Sequence, residues 1–329
     1  MANNVYSRNR RFYASQVSAY GTAVSPTNSN ALRAVEMNFA PEQTRTLRPD
    51  VQPSLDSPVP SLGRKSCTGT VRASLAGSGT RGTPPDIHQF LRSLFGKYTN
   101  SAGASDTYET DDVALYCDIW SWATNGGGES CLSSVVQQAT FEFGQDYSVA
   151  EFQFEGKSYL SSWSFTGTDT EGKCGLAAYP TEPAAPVLNG NAVPGYKGSV
   201  TIGGQAYTTG RTGRITARIP KPLPKDGWGT DYPLEAGLDP REVDVEWSQY
   251  DDDLAALTTL KSNAMAGTQV DASWVLGSVA GNIWTFTLND ILLNPPTFDN
   301  SGSRRIVNFS GRCYATSGTA KDCFKLVVT

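Results

Sequence analysis

A chain of 329 residues is long enough for two ordinary domains, each able to bury its own core. A charged fraction of only 18%, with 32 Gly and 19 Pro, is the balance of a turn-rich, mainly β protein rather than of a helical bundle. The formal net charge of −5 argues against a surface built to grip phosphate backbones, though not against DNA that slides past without sticking.

In chain order, residues 1–60 are rich in Asn, Ser, Pro and Arg, with short apolar groups around Tyr13 to Tyr20 and Leu32 to Phe39. The prolines at 49, 53, 58 and 60 forbid a long helix, so an extended arm lying on another surface is expected, or no fixed structure in the free chain. A first folded unit, 61–172, opens with a strand at 66–75 and the Gly-rich turn 77–82. Ile87, Phe90, Leu91, Leu94 and Phe95 then fall at helical spacing, closed by Gly96. After a polar loop at 97–112, Val113, Leu115, Cys117 and Ile119 alternate as in a strand. A turn at Asn125-Gly126-Gly127-Gly128 and strands at 135–143 and 149–160 complete the unit. Residues 173–213 read as a Gly/Pro-rich linker with a hairpin at 199–207. A second unit, 214–329, has strands at 214–219 and 242–247 and a helix behind Asp251-Asp252-Asp253 carrying Leu254, Leu257, Leu260 and Met265 to Gly267. Further strands fall at 270–276, 282–288, 305–315 and 322–328.

The second half echoes the first. Ala139-Thr140-Phe141-Glu142-Phe143 followed by Phe154-Glu155-Gly156-Lys157-Ser158-Tyr159 is matched by Trp284-Thr285-Phe286-Thr287-Leu288 followed by Phe309-Ser310-Gly311-Arg312-Cys313-Tyr314. Both closing strands carry Phe-x-Gly-(Lys or Arg)-x-Tyr, which suggests two copies of one β unit, although any two amphipathic hairpins share some pattern.

Catalytic chemistry finds little to stand on. The one histidine, His88, sits in a helix that reads as packing material, and a triad would need a nucleophile and an acid beside it. Asp251, Asp252 and Asp253 suit a helix start better than a cation, since three consecutive side chains cannot face one ion from a helix. Asp111 and Asp112 read as solvated loop charge. The run Gly77-Ser78-Gly79-Thr80-Arg81-Gly82 lacks the Lys-Ser/Thr of a phosphate cradle. Trp120, Trp122 and Trp163 would suit a sugar platform, though sheet aromatics more often build cores and interfaces. The six cysteines, at 67, 117, 131, 174, 313 and 323, show no metal spacing and read as mostly reduced thiols, with one or two disulfides conceivable. No catalytic, cofactor or metal site is expected, and the chain reads as a non-enzyme. No apolar run reaches the eighteen or so residues of a membrane span, and the first residues lack a signal peptide's apolar core, so a soluble chain made in the cytoplasm is expected.

The run Pro58-Val59-Pro60-Ser61-Leu62-Gly63-Arg64-Lys65-Ser66, the strand end Leu75-Ala76-Gly77-Ser78-Gly79-Thr80, and Gly82-Thr83-Pro84-Pro85-Asp86 before a short apolar helix resemble the opening of tail tube (major tail) proteins of long-tailed bacteriophages. So does Ala139-Thr140-Phe141-Glu142-Phe143 with Phe152-Gln153-Phe154-Glu155-Gly156-Lys157. The resemblance covers about 55–160, and 240–315 through the echo; the long N-terminus and the 160–213 insertion depart from it. It implies β-sandwich or open-barrel units, each with one short helix, here two plus the extended arm. It further implies self-assembly into stacked rings, trimeric if both units are of tube type and hexameric if only one is. Partners would be other copies, tape measure and terminator proteins, and genomic DNA passing through an acidic lumen in the virion tail. Residues 41–65 and 97–112 become candidates for ring-to-ring contact. The alternative, from a different class, is a carbohydrate- or surface-binding β-sandwich module of a virion or secreted protein.

Overall fold

The computed structural model describes the chain except residues 1–9, 47–59, 124–126, 145–146, 167–168, 185–187, 189–191, 195–196, 208–209, 226 and 253–254. It is mainly β, with two helices among the described residues and a large antiparallel sheet system of open, sandwich-like layers. The first half contains β1 (Arg10–Gln16), β2 (Ala31–Leu32), β3 (Ala34–Thr46), β4 (Ser61–Ser74), α1 (His88–Phe95), β5 (Gly96–Ser101), β6 (Ser105–Thr110), β7 (Cys117–Ala123), β8 (Gly128–Phe143), β9 (Val149–Gly156) and β10 (Ser158–Ser161). The second contains β11 (Gly198–Ile202), β12 (Gln205–Tyr207), β13 (Gly210–Arg218), β14 (Glu242–Tyr250), α2 (Ala255–Ala266), β15 (Val270–Leu276), β16 (Trp284–Leu293), β17 (Thr297–Asp299), β18 (Ile306–Cys313) and β19 (Phe324–Val328).

The pairings of the two halves correspond. In the first, β3 pairs β4, β4 pairs β9 and β9 pairs β8; in the second, β13 pairs β14, β14 pairs β18, and β18 pairs the end of β16 together with β17. In the opposing layer β2, β1, β7, the start of β8 and β10 correspond to β12, β11, β15, the start of β16 and β19. The helices fall at the same place in each order. The likeness reaches single residues. A register shift between Cys117 and Ile119 is matched by one between Val270 and Ala272. Opposite each, the long strand crosses between layers through a residue with positive φ, Ser133 at 48° and Asp290 at 47°. The side chain in each shift holds that residue, Asp118 Oδ1 accepting the Ser133 N–H at 2.7 Å and Asp271 Oδ1 accepting the Asp290 N–H at 3.0 Å.

The crossing explains the shared glycine of the closing strands. A Cβ on Gly156 would stand 2.4 Å from Cys131 Sγ and 2.9 Å from the Leu132 carbonyl, and one on Gly311 would stand 2.8 Å from both Ile291 Cγ2 and the Leu292 carbonyl. Only glycine lets the closing strand pass the bulged strand. The opening half of the echo has no such equivalence. Ala139–Phe143 lies after the Ser133 crossing and Trp284–Leu288 before the Asp290 crossing, because an alternating pattern carries no register of its own. These segments meet instead across the core, with the Phe286 ring 5.2 Å from Phe141 and 5.0 Å from Phe143.

The halves share one apolar core and are joined strand to strand. β8 pairs β13 over Gln138–Phe143 and Gly213–Arg218, placing Phe141 against Ile215 and Ala139 against Ala217 on the buried face. On the other layer β6 pairs β19. Residues 97–112, expected as a polar loop, therefore include a hairpin, β5–β6. Its inward residues Tyr98, Asp106, Tyr108 and Thr110 are too polar to announce a strand. The N-terminal stretch is largely extended as expected, but its strands β1, β2 and β3 lie in the chain's own sheets: β1 pairs β7 along its length and β3 pairs β4. The hairpin expected at 199–207 is β11–β12, the second half's counterpart of β1–β2. All six cysteines are free thiols. Met265 is exposed, off the buried stripe of Leu257, Leu260 and Ala264. The expected segment 49–53, the Asn125-Gly126 turn, Asp253 and Leu254 lie outside the described residues.

Candidate functional site

The β3-β4-β9-β8-β13-β14-β18 sheet buries one face and turns the other outward. Alternation assigns Val71, Phe152, Phe154, Ala139, Phe141, Ile215, Val243, Val245, Val307 and Phe309 to the core. The outward residues fall in register across neighbouring strands, from Glu36, Asn38 and Ala40 through Thr68, Thr70, Arg72, Glu151, Gln153 and Glu155 to Gln138, Thr140 and Glu142. The second half continues the rows with Arg214, Thr216, Arg218, Glu242, Asp244, Glu246, Ser310 and Arg312. The result is one wide polar surface in which seven carboxylates (Glu36, Glu142, Glu151, Glu155, Glu242, Asp244, Glu246) stand against four arginines (Arg72, Arg214, Arg218, Arg312) and Lys225, which reaches Glu155 at 2.8 Å.

Each of those arginines is held by carboxylates of the same surface. Arg72 and Arg214 both approach Glu142, at 3.5 and 4.0 Å, Arg218 approaches Glu242 at 3.9 Å, and Arg312 donates to Asp244 at 2.9 Å and to Glu242 at 3.0 Å. Hydrogen bonding to Asp244, aided by its charge and by Glu242, holds the Arg312 pKa above the usual guanidinium value. The positive charge is thus spent internally and the acidic surplus faces solvent. The free edges of this sheet are β3 at one side and β16–β17 at the other. They carry exposed apolar side chains, Val35 (60%) on β3, Leu292 (39%) on β16 and Phe298 (42%) on β17, with Arg305 over the Phe298 ring at 4.0 Å. Pro41, Pro295 and Pro296 stand along those edges, where a missing N–H is tolerated. At the end of the sheet where β8 stops and β13 starts, a depression of about 670 Å³ on the polar face adjoins a cleft of about 300 Å³ between the two layers.

Residues singled out for chemistry are not brought together. His88 is half-buried, shares a 2.7 Å hydrogen bond between Nδ1 and the Tyr108 hydroxyl, and is kept neutral by desolvation and by Arg92, its pKa lowered to about 3. Asp251 is bracketed by Lys261 and by Arg305 at 3.4 Å. Asp111 and Asp112, expected as solvated loop charge, instead clamp the halves: Lys321 reaches them at 2.5 and 2.8 Å, and Arg241 binds Asp112. The Gly77–Gly82 run is a turn fastened by Ser78 Oγ to the Thr80 and Thr83 carbonyls. Trp120 and Trp122 stack at 5.7 Å inside a buried cluster with Tyr13 and Tyr179, while Trp163 stands apart at 64% exposure, so no three-indole platform forms. Sequence reading missed the polar sheet face as a unit, because its rows are assembled from strands far apart in the chain. No protein-family model matches the chain, and no curated protein is similar to it.

Proposed function

We propose that the chain is a structural building block of a tubular assembly, the tail tube of a long-tailed bacteriophage, in which copies join edge to edge into rings around a channel for DNA. The observation that supports it most is the joint between β8 and β13. Within one chain, two units of matching topology are already fused into a single sheet by pairing the outer strand of one with the first strand of the next. By the same correspondence β16–β17 stands for β8 and β3 stands for β13, and these are the two free edges. A neighbour placed head to tail repeats the joint, covers Val35, Leu292 and Phe298, and leaves no edge of this sheet open to aggregation. With two units per chain, three copies make a ring of six units. The acidic face then lines the channel, where it repels phosphate and lets DNA pass.

Negative-stain electron microscopy over a concentration series tests this. Hollow rings or tubes with three or six lobes end-on are expected, and Val35→Glu and Phe298→Glu should each suppress them while leaving the monomer folded. A chain that forms only closed dimers, or that stays monomeric at millimolar concentration and binds glycans through Trp163 or the fully exposed Trp228, overturns the reading in favour of a surface-binding module.

A further inference from the structure

The strand β13 starts irregularly. Its pairing with β14 shifts between Gly210 and Thr212, so Arg211 is an extra residue, and β8 reaches β13 only from Gly213 onward. Bulges of this kind re-aim a side chain and end a pairing. Past the end of β8 the two layers part in the cleft of about 300 Å³, walled by Phe143, Tyr207, Trp247 and Trp274, with Gly213 as its floor. A Cβ on Gly213 would stand 3.1 Å from Phe143 Cδ2 and 3.5 Å from Trp274 Nε1, so the glycine keeps the floor open. The walls are held from behind: Trp247 stacks on Phe309 at 5.1 Å, and the Tyr207 hydroxyl donates to the Ala256 carbonyl at 3.1 Å.

Three donors of residues lining this cleft have no acceptor among the described residues: Trp247 Nε1, Gln249 Nε2 and Arg211 Nε, although Trp247 and Gln249 are only 5% and 1% exposed. The fold itself does not call for them, as the first unit shows. β3 carries the matching bulge, between Ala34 and Glu36; counting from it, Val35 stands for Arg211, Met37 for Gly213, Val71 for Trp247 and Ala73 for Gln249. All four are apolar, and Met37, Val71 and Ala73 are buried. Where the first unit is filled and apolar, the second is open and keeps stranded donors. Buried donors without acceptors destabilise a fold, and an acceptor from outside relieves them.

We propose that this cleft binds a small aromatic monocarboxylate. The rings of Phe143, Trp247 and Trp274 suit a planar apolar body. A carboxylate accepts at about four lone-pair sites, enough for the indole, amide and guanidinium donors together. Arg211 is the one charged residue among those lining the cleft, so it balances a single negative charge and leaves a phosphate's second one buried and unpaired. Arg211 has no ion pair among the described residues. Its guanidinium lies over the Tyr250 ring at 5.3 Å, and Asp299, near enough to feel its charge, is engaged by the Ser301 N–H at 2.8 Å. The cleft is complete within one chain, so the inference holds whether or not copies form rings.

Isothermal titration calorimetry of the full chain with phenylacetate, 2-naphthoate and indole-3-acetate tests this. At least one should saturate at one site per chain, and its primary amide and phenyl phosphate should bind at least tenfold more weakly. Gly213→Ala, which fills the floor, Gln249→Leu and Arg211→Met should each weaken the best probe at least tenfold, with near-UV circular dichroism checking that the variants fold. Gln249→Leu should leave the Tm of the unliganded chain unchanged or raise it, since its donor has no bond to lose. A merely structural Gln249 gives the reverse, a lower Tm with unchanged affinity, and that result overturns the assignment. So does failure of all three carboxylates to saturate, equal affinity for acid and amide, or tighter binding of phenyl phosphate. The comparison of acid with amide uses the wild-type chain alone, and it decides the matter even if a variant fails to fold.

Discussion

Asp118 is fully buried on β7, where its carboxylate accepts the Ser133 N–H and the Val24 N–H, both at 2.7 Å. Burial pushes its pKa up from 3.8 to about 7, and the two N–H donors pull it only part of the way back. The thiols of Cys117, Cys131 and Cys174 around it are also raised by burial and stay neutral in this range. A carboxyl whose folded pKa lies above its unfolded value keeps a proton that the unfolded chain has released. Its contribution is therefore full below about pH 3.8, declines as pH rises, and is gone above about pH 7. At 1.36 kcal/mol per pKa unit the decline amounts to about 4 kcal/mol across the window. Asp118→Asn removes the titrating proton, so the difference in unfolding free energy between wild type and variant should change by about that amount between pH 4 and pH 7. Asp271, at the matching position of the second unit, is exposed, and Asp271→Asn is the control that should track the wild-type profile. Urea unfolding followed by near-UV circular dichroism at pH 4.5, 5.5 and 6.5 reads all three. Parallel profiles for wild type and Asp118→Asn would refute the reasoning.

Gly156→Ala and Gly311→Ala force a methyl against the crossing strands, with closest approaches of 2.4 and 2.8 Å, and should each cost about 1–3 kcal/mol, Gly156→Ala the more, read as a fall in Tm. Phe141→Ala, at the joint between units, empties a site packed by the rings of Phe152, Phe286 and Phe324 and should cost about 3–5 kcal/mol in urea unfolding. Lys221 is fully buried and its ammonium donates to the Ser93 and Leu94 carbonyls at the end of α1; Lys221→Ala strands both acceptors and should lower the urea midpoint by the equivalent of about 2–4 kcal/mol. Lys321→Ala removes half-exposed ion pairs to Asp111 and Asp112 and should cost under about 1 kcal/mol, less still in 0.5 M salt.

What the sequence reveals of this fold follows from how local each cause is. The spacing of Phe90, Leu91, Leu94 and Phe95 marks a helix because one turn of chain decides it, and Gly96 ends it with φ 85° and its N–H on the Arg92 carbonyl. Strands such as Glu242–Tyr250 are legible because one face meets the core and the other meets water. The β5–β6 hairpin is not, since its inward side is polar: Asp106 accepts from the Tyr98 hydroxyl at 2.5 Å and from Asn100 Nδ2 at 2.8 Å, a network that reads as loop until the partners are seen. The place of β1 is hidden for another reason. Its partner β7 lies about a hundred residues on, and nothing in Arg10–Gln16 names that strand. The polar sheet face suffers the same way. Each row, such as Arg72, Glu151, Thr140, Thr216, Asp244 and Arg312, draws on strands whose order only the pairing supplies.

The duplication is not perfect, and its flaw bears on the proposed ring. The first unit carries β5–β6 between α1 and β7, and that hairpin extends the second unit's outer layer by pairing β6 with β19. The second unit passes from α2 to β15 with only residues 267–269 between, so it has no hairpin to lend. β10, the counterpart of β19, is instead flanked by 162–179, where Ser162 donates to the Gly128 carbonyl and Ser158 to that of Gly172. In a ring of three, the inner sheet can repeat the β8–β13 joint at all six boundaries, because both units supply the strands it needs. The outer layer cannot: three boundaries carry the hairpin and three lack it. The channel face would approach sixfold regularity while the outer surface keeps only threefold. End-on averages should therefore show six lobes around the lumen and three at the rim, and six identical lobes at both radii would mean that the two units are not neighbours of one kind.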